Sequence, residues 1–285
     1  MRPSRRRQKP IFQSRSVYRA DLHCHSTCSD GTLTPVELLE LAKEKELSAI
    51  SITDHDTLDA YSEDVFQKSK ELGVKLYVGV EFSTRHKKFP VHLLGYGVRK
   101  TPEILEFCRK HQERRLNRNR EILEKLKRLS IIVEEEELGD PKDRTVGRPH
   151  IAEVLLKKHY ISSIQEAFDR YIGEGKPCFA SGESFTSQET IAVIQSVEGK
   201  AFIAHPHLIK KREILKDLLS MDFDGMECYY GFFHRTHEEK WLRIAEEKDW
   251  LVSGGSDFHG SITPHIQLGC SWVDEERVKA IFGEL

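Results

Sequence analysis

The chain has 285 residues, is 38% hydrophobic and 32% charged, and carries a formal net charge of −2. That length suffices for one large α/β barrel or two ordinary domains, and the apolar share excludes a wholly disordered chain. The near-neutral balance gives no global argument for a nucleic-acid or membrane partner, and no run of about 18 apolar residues argues for a transmembrane helix.

Residues 1–19 hold seven Lys/Arg and no acid, without the apolar stretch of a secretory signal. They read as a basic, flexible tail whose functional alternative is weak contact with nucleic-acid phosphates. Val17 to Leu22 reads as the first strand. Thr34-Pro35-Val36-Glu37 is a helix start with N-cap, N1 proline and capping glutamate in place. Ala49 to Thr53 is a second strand, and Tyr61 to Leu72 a helix stopped by Gly73. Val74 to Phe82 and Val91 to Tyr96 are two more strands. Strand–helix alternation of this kind points to βα units and a parallel sheet.

The rhythm changes at Thr101-Pro102. From there to about Leu138 the pattern is one or two long helices. Leu105, Cys108, Leu116, Leu123, Leu126 and Leu129 form the apolar stripe, and Arg114, Arg115, Arg118 and Arg120 cover much of the opposite surface. After a loop at Gly139 to Gly147 come a helix opened by Pro149 and another opened by Ser163 and Glu166. Residues 101–180 therefore read as a helical insertion into a barrel formed by 20–100 and 181–285. Barrel rhythm resumes with a helix from Ser187 to Val197 and a strand from Ala201 to Ala204. The helix Ile214 to Leu219, the strand Gly225 to Cys228, the helix Glu238 to Lys248 and the strand Leu251 to Ser253 follow. Val278 to Phe282 begins a closing helix.

Chemistry-bearing residues gather where these apolar runs end. His23 and His25, two apart on an extended segment, face the same side and can hold one ion together. Asp30 follows them. His55 sits in Thr53-Asp54-His55-Asp56, Glu81 follows a Val/Tyr/Val run, His92 lies in the next run, and His205 follows Phe202-Ile203-Ala204. Asp257 and His259 follow the last strand. In βα barrels functional groups come from the C-terminal ends of strands. Imidazoles and carboxylates suit Mn²⁺, Fe²⁺ or Zn²⁺, and carboxylates can bridge ions. Nine such groups are too many for one ion and suit two or three. His86, His111, His159, His234, His237 and His265 fit no strand-end pattern and read as ordinary surface or capped histidines. Six scattered cysteines, with no C-x2-C pair, read as reduced thiols of a cytoplasmic protein; Cys24 lies between two candidate ligands and should point away from them.

Asp21-Leu22-His23-Cys24-His25-Ser26, Asp30, Thr53-Asp54-His55-Asp56, Gly79-Val80-Glu81, Ala204-His205-Pro206 and Gly255-Ser256-Asp257-Phe258-His259 together resemble the PHP (polymerase and histidinol phosphatase) phosphoesterases. The resemblance runs from about Ala20 to the C-terminus. It implies a distorted (β/α)7 barrel and a trinuclear centre. His23, His25, Glu81 and Asp257 would hold the first ion, Glu81, His92 and His205 the second, and Asp30, His55 and His259 the third. A metal-bridged water or hydroxide on the first set would attack phosphorus. The insert, with Gly147-Arg148-Pro149-His150-Ile151-Ala152 and Ala167 to Gly173, is similar to members acting on nucleotides: nucleoside 3′,5′-bisphosphate phosphatases and 5′→3′ exonucleases.

Arg148 and His150, at the start of a helix, are candidates for the substrate's non-reacting phosphate. Asp54 and Asp56 are candidates for orienting imidazoles, and His207 or Glu227 for proton transfer. The expected activity is hydrolysis of the 3′-phosphate of a nucleoside 3′,5′-bisphosphate. The rival within the enzyme class is exonucleolytic action on short 5′-phosphorylated RNA or DNA. From another class, the chain could be a metal-binding nucleic-acid interaction module. No membrane or obligate protein partner is expected.

Overall fold

The computed structural model describes residues 17–231 and 235–283. Nearly all of the basic tail lies outside the described residues, as do His234 and the side chain of His237. Seven strands form a single sheet in sequential order: β1 (Ala20–Cys24), β2 (Ala49–Ile52), β3 (Lys75–His86), β4 (Phe89–Tyr96), β5 (Lys200–Ile203), β6 (Gly225–Tyr230) and β7 (Leu251–Gly255). The ends of the sheet meet. The Asp257 amide donates to the His23 carbonyl at 2.7 Å and the His25 amide to the Phe258 carbonyl at 2.9 Å, so the sheet is nearly closed into a barrel.

The sheet is mixed, whereas the strand–helix rhythm pointed to a parallel one. β3 runs on to His86, four residues beyond Phe82, and turns straight back into β4. β4 is antiparallel to both β3 and β5, while the other neighbouring strands pair in parallel. The turn is built by Lys87 and Lys88, both at positive φ. Too few residues separate the two strands for the crossover that a parallel pair requires.

The flanking helices start and stop where local chemistry dictates. α1 (Pro35–Glu44) has the full capping box of Thr34 and Glu37, and α2 (Glu63–Leu72) ends on Gly73 at φ 66°. α3 (Pro102–Arg128) is one continuous helix. Its buried face is Ile104, Phe107, Cys108, His111, Arg115, Asn119, Ile122 and Leu126. Of the stripe expected from sequence, Cys108 and Leu126 are buried, but Leu105 and Leu129 are exposed and Arg115 is buried. The first turns of α3 join the barrel core, which holds Ile104, Phe107 and Cys108. Its last turns join a second apolar cluster, from Ile122 to Ala180, with α4 (Arg148–Lys157), α5 (Ile164–Ala167) and the π-turn Phe168–Ile172. α6 (Ser187–Ser196), α7 (Arg212–Leu218), α8 (Arg235–Lys248) and α9 (Glu275–Phe282) complete the layer outside the strands.

Candidate metal centre

The mouth of the barrel collects all nine residues singled out by their place in the sequence. His23 and His25 leave β1 on one face, and both are fully buried. Cys24 between them turns outward, its Sγ 3.4 Å from the Ser51 carbonyl. All six cysteines are free. His92 is explained by strand direction. Because β4 runs antiparallel, its beginning lies at the end where β3 and β5 finish, with His92 opposite Ser83 and Leu93 opposite Ile203.

Glu81 is the hub. Its Oε2 lies 3.4 Å from His23 Nε2 and 3.2 Å from both His25 Nε2 and His55 Nδ1. Its Oε1 lies 2.9 Å from both His92 Nδ1 and His205 Nε2. Asp257 Oδ1 sits 3.3 Å from His23 Nε2 and 3.2 Å from His25 Nε2. Beyond His25, Asp30 approaches His259 Nε2 at 3.4 Å and His55 Nε2 at 3.8 Å. Ligands about 2.1 Å from a shared ion stand roughly 3.0–3.4 Å apart in octahedral or tetrahedral arrangement. The spacings of His23, His25 and His55 from Glu81 Oε2, and of His23 and His25 from Asp257 Oδ1, fall in that range.

Three overlapping groups have ligand atoms mutually within 4.8 Å: His23, His25, Glu81 and Asp257; His25, Asp30, His55 and His259; and His55, Glu81 and His92. The fit to metal ions is also chemical. His23 Nε2, both nitrogens of His25 and His55 Nδ1 are buried without a hydrogen-bond partner among the described residues. Buried polar atoms are costly to leave unmatched, and these face carboxylates. Burial alone would raise the carboxyls of Glu81, Asp30 and Asp257, yet the imidazoles around them hold all three well below the ordinary range. Burial opposes charge on His25 too, but Asp257 and Glu81 push it up to about 10. Burial takes His55 the other way, to about 3. Anionic oxygens around imidazole lone pairs make a site that either protons or divalent cations must fill.

Outer contacts fix the rings. Glu227, buried in β6, accepts from His23 Nδ1 at 2.8 Å and from the His205 amide at 2.7 Å. The His23 Nε2 lone pair is thereby turned toward Glu81 and Asp257. His259 Nδ1 lies 2.9 Å from the Asp257 carbonyl, which points its Nε2 at Asp30. The Tyr230 hydroxyl donates to Asp257 Oδ2 at 2.7 Å, and the His207 ring packs on Tyr230 with centroids 4.5 Å apart. Asp54 accepts from the Ser26 amide and from the hydroxyls of Ser26 and Ser29 at 2.5–2.7 Å, and so shapes the loop that carries Asp30. Asp56 takes Arg115 Nε at 2.5 Å and the Ser83 amide at 2.8 Å. His111, set aside on sequence, stands 3.2 Å from the same carboxylate.

A cavity opens from the cluster toward the helical segment. Asp30, His55 and His92 line it together with Arg85, Arg114, Arg115, Arg118 and Arg148. Arg114, Arg115 and Arg118 of α3 therefore face the site, whereas Arg109, Arg120 and Arg128 of the same helix are exposed. Of the five cavity arginines, Arg115 is held by Asp56 at 2.5 Å and Arg85 lies 4.0 Å from Glu174; among the described residues Arg114, Arg118 and Arg148 have no carboxylate within 4 Å. Arg114 lies over the Phe185 ring at 3.4 Å, and its Nη1 is buried without a hydrogen-bond partner among the described residues. Burial depresses the pKa of Arg118 and Arg148, and neighbouring Arg115 adds to it. Arg148 begins α4 with its guanidinium in the cavity, Nη1 3.4 Å from the Ile172 carbonyl. His150, two residues on, is buried behind this wall. Its Nδ1 accepts from the Gly147 amide at 2.9 Å, and burial lowers its pKa to about 4.

Glu227, singled out on sequence for proton transfer, instead accepts from His23 and the His205 amide, and the arginine wall was assigned to the opposite surface of α3. A lone acid in an apolar strand has no spacing to mark it. The arginines do carry a signal: His111, Arg115, Arg118 and Asn119 continue the spacing of Ile104, Phe107 and Cys108, so one buried face is apolar at its ends and polar in its middle.

The comparisons agree with this chemistry. A family model described as the PHP domain matches residues 21–204. A 5′-3′ exoribonuclease of Haemophilus influenzae is 32% identical over 89% of this chain and 92% of its own length. A 3′,5′-nucleoside bisphosphate phosphatase of Chromobacterium violaceum is 27% identical, with 84% and 86% covered. A solved structure from Bifidobacterium adolescentis, provisionally named as a metal-dependent phosphoesterase, superposes with a TM-score of 0.84 at 27% identity, covering 92% of this chain and 94% of that one. With its imidazole–carboxylate cluster at the mouth of a seven-stranded barrel, this chain belongs to the PHP-domain family and is a hydrolase of phosphate esters.

Proposed function

We propose that the protein hydrolyses the ester between phosphorus and the 3′-oxygen of a nucleotide whose 5′-phosphate is anchored by the arginine wall. A nucleoside 3′,5′-bisphosphate is the smallest molecule that meets this description. The observation that carries the reading is one cavity lined both by Asp30, His55 and His92 of the cluster and by five arginines. A cluster alone would serve any phosphoester. Arginines with few carboxylate partners at the same opening ask for a second anion, and the guanidinium fork matches phosphate.

On this reading two to three divalent ions, Mn, Fe or Zn, are held by His23, His25, Glu81 and Asp257, by Glu81, His92 and His205, and by Asp30, His55 and His259. Ions there would acidify a water and neutralise charge on the phosphoryl oxygens. The chain's own residues do the rest. Arg114, Arg118 and Arg148 bind the 5′-phosphate, which fixes the distance from that phosphate to the 3′-ester. Arg115 is held by Asp56 and forms the floor between the two sites. Glu227 and Tyr230 orient His23 and Asp257. His150 supports the start of α4 through Gly147 rather than touching substrate.

Cutting a 5′-phosphorylated oligonucleotide from its 5′ end breaks the same phosphorus–O3′ bond and frees a nucleoside 5′-phosphate. The curated names of the Haemophilus and Chromobacterium relatives correspond to these two uses of one cleavage. The test is phosphate release from adenosine 3′,5′-bisphosphate with added Mn²⁺, run beside His259→Ala. Release by the wild type alone is expected. Equal release by both proteins removes the ligand assignment. Release from neither, with metal bound, removes the nucleotide reading.

A further inference from the structure

We propose that a groove beside the cluster carries the downstream part of a single-stranded nucleic acid, with Lys210, Lys211, Phe89 and Leu208 as its contacts. This rests on the reading above and extends it from the cleaved nucleotide to the strand attached beyond its 3′-oxygen.

The groove is lined by Phe89, Pro90, Leu208, Lys210 and Lys211, among others, and shares Pro90 and Glu174 with the arginine-walled cavity. The two hollows therefore adjoin at these residues. Its walls are extensions of the segments that supply two cluster residues. Pro90 precedes His92 by two positions on β4, about 7 Å of strand. Leu208 lies in the 3-10 turn Pro206–Leu208 that directly follows His205. A chain leaving the cluster past Pro90 and Glu174, at the Arg85 edge of the cavity, enters this groove.

The chemistry of the groove suits an unpaired strand. Lys210, Lys211 and Arg212 are exposed in a row, and Lys88 is exposed on the facing turn. None of these four has a carboxylate partner among the described residues; Lys87 beside them is taken by Asp217 at 2.6 Å. Lys211 Nζ sits 4.1 Å above the Phe89 ring, and Leu208 is 54% exposed. Cations alternating with an aromatic ring and an aliphatic side chain provide for backbone phosphates and base faces together, without reading sequence. Glu174, at the junction of the hollows, lies 4.0 Å from Arg85 and is thereby partly neutralised.

The experiment compares wild type with the double variant Lys210→Gln/Lys211→Gln on two substrates, adenosine 3′,5′-bisphosphate and a 5′-phosphorylated RNA of about ten nucleotides. Mononucleotide turnover should be unchanged, because neither lysine lines the cavity. KM for the RNA should rise, and its salt dependence should flatten. Two lost phosphate contacts reduce the logarithmic slope by about 1.4, so between roughly 50 and 200 mM salt the variant loses about sevenfold less affinity than the wild type.

Binding is measured in parallel by fluorescence anisotropy, using RNA whose first linkages are phosphorothioates. Should wild type cleave neither substrate, the functional reading falls while the anisotropy still tests the groove. Equal RNA affinity and equal salt slope in both proteins overturn the proposal. So does a change in sedimentation coefficient with unchanged RNA binding, which would make this surface a contact between copies of the chain.

Discussion

Glu227→Gln is the most searching single change. The carboxylate is buried and accepts two hydrogen bonds, from His23 Nδ1 through Oε1 and from the His205 amide through Oε2. A glutamine of the same shape has one accepting oxygen. In one orientation its NH₂ faces the His205 amide and leaves two donors opposed in a dry site. That costs about 1–3 kcal/mol of folding stability. In the other orientation the NH₂ faces His23 Nδ1, so the imidazole must carry its proton on Nε2. That nitrogen, 3.4 Å from Glu81 and 3.3 Å from Asp257, then offers no lone pair to a cation. Either way one function is lost, and changes to such outer contacts typically cost about 10–100-fold in metal affinity or activity. The assay is a calorimetric Mn²⁺ titration of chelator-treated protein, with thermal unfolding of the same samples. Wild-type affinity together with a wild-type Tm would refute the assignment of Glu227 as the group that sets the His23 tautomer.

Three other outcomes are expected. Arg114→Ala should raise KM for a 3′,5′-bisphosphate by roughly ten- to hundredfold, the worth of a charged hydrogen bond, and change turnover of a nucleoside 3′-monophosphate little; equal effects on both would show that Arg114 does not meet the 5′-phosphate. The His150 pKa is depressed by burial from an ordinary 6.5 to about 4, so protons bind the unfolded chain first and stability is lost as pH falls from 6.5 toward 4. Between about pH 7 and pH 5 the loss from this group is about 2 kcal/mol, and urea unfolding of chelator-treated protein should show His150→Asn escaping it; parallel pH profiles for the two proteins would contradict this. A Cβ at Gly255 would stand 2.3 Å from the His23 amide nitrogen, so Gly255→Ala should cost about 1–3 kcal/mol in denaturant unfolding and lower metal affinity by displacing His23; an unchanged midpoint would speak against so close a strand contact.

The cluster was legible in sequence because its residues sit at the ends of apolar runs, and strand ends converge in a barrel. His92 was the exception, lying at the start of a run. Direction resolves it, since a strand reversed by a short turn begins where its neighbours finish. Two further features were harder to read. The apolar stripe of α3 was read through Leu105, Cys108, Leu116, Leu123, Leu126 and Leu129; burial kept Cys108 and Leu126 but otherwise followed Ile104, Arg115 and Asn119, because a pocket wall needs polar residues on a buried face. Glu227 lies in Gly225-Met226-Glu227-Cys228, where nothing in the spacing distinguishes a buried acceptor from a chance acid. The second apolar cluster, Ile122 to Ala180, falls largely within the expected insertion, but α3 belongs to both cores, so the limit of the first core lies inside a helix rather than at a loop.

The meeting of the first and last strands has a dynamic consequence. Residues on both sides of that seam, His23 and His25 on one and Asp257 and His259 on the other, belong to the same cluster. Two amide bonds hold the backbone there, and cations shared across the seam would act as a clasp on the ring. Loss of the ions should then be felt first as local opening, with the His25 and Asp257 amides exchanging hydrogen faster while those of β2 and β3, paired on both sides, stay protected. These two amides would thus report metal occupancy without any substrate present.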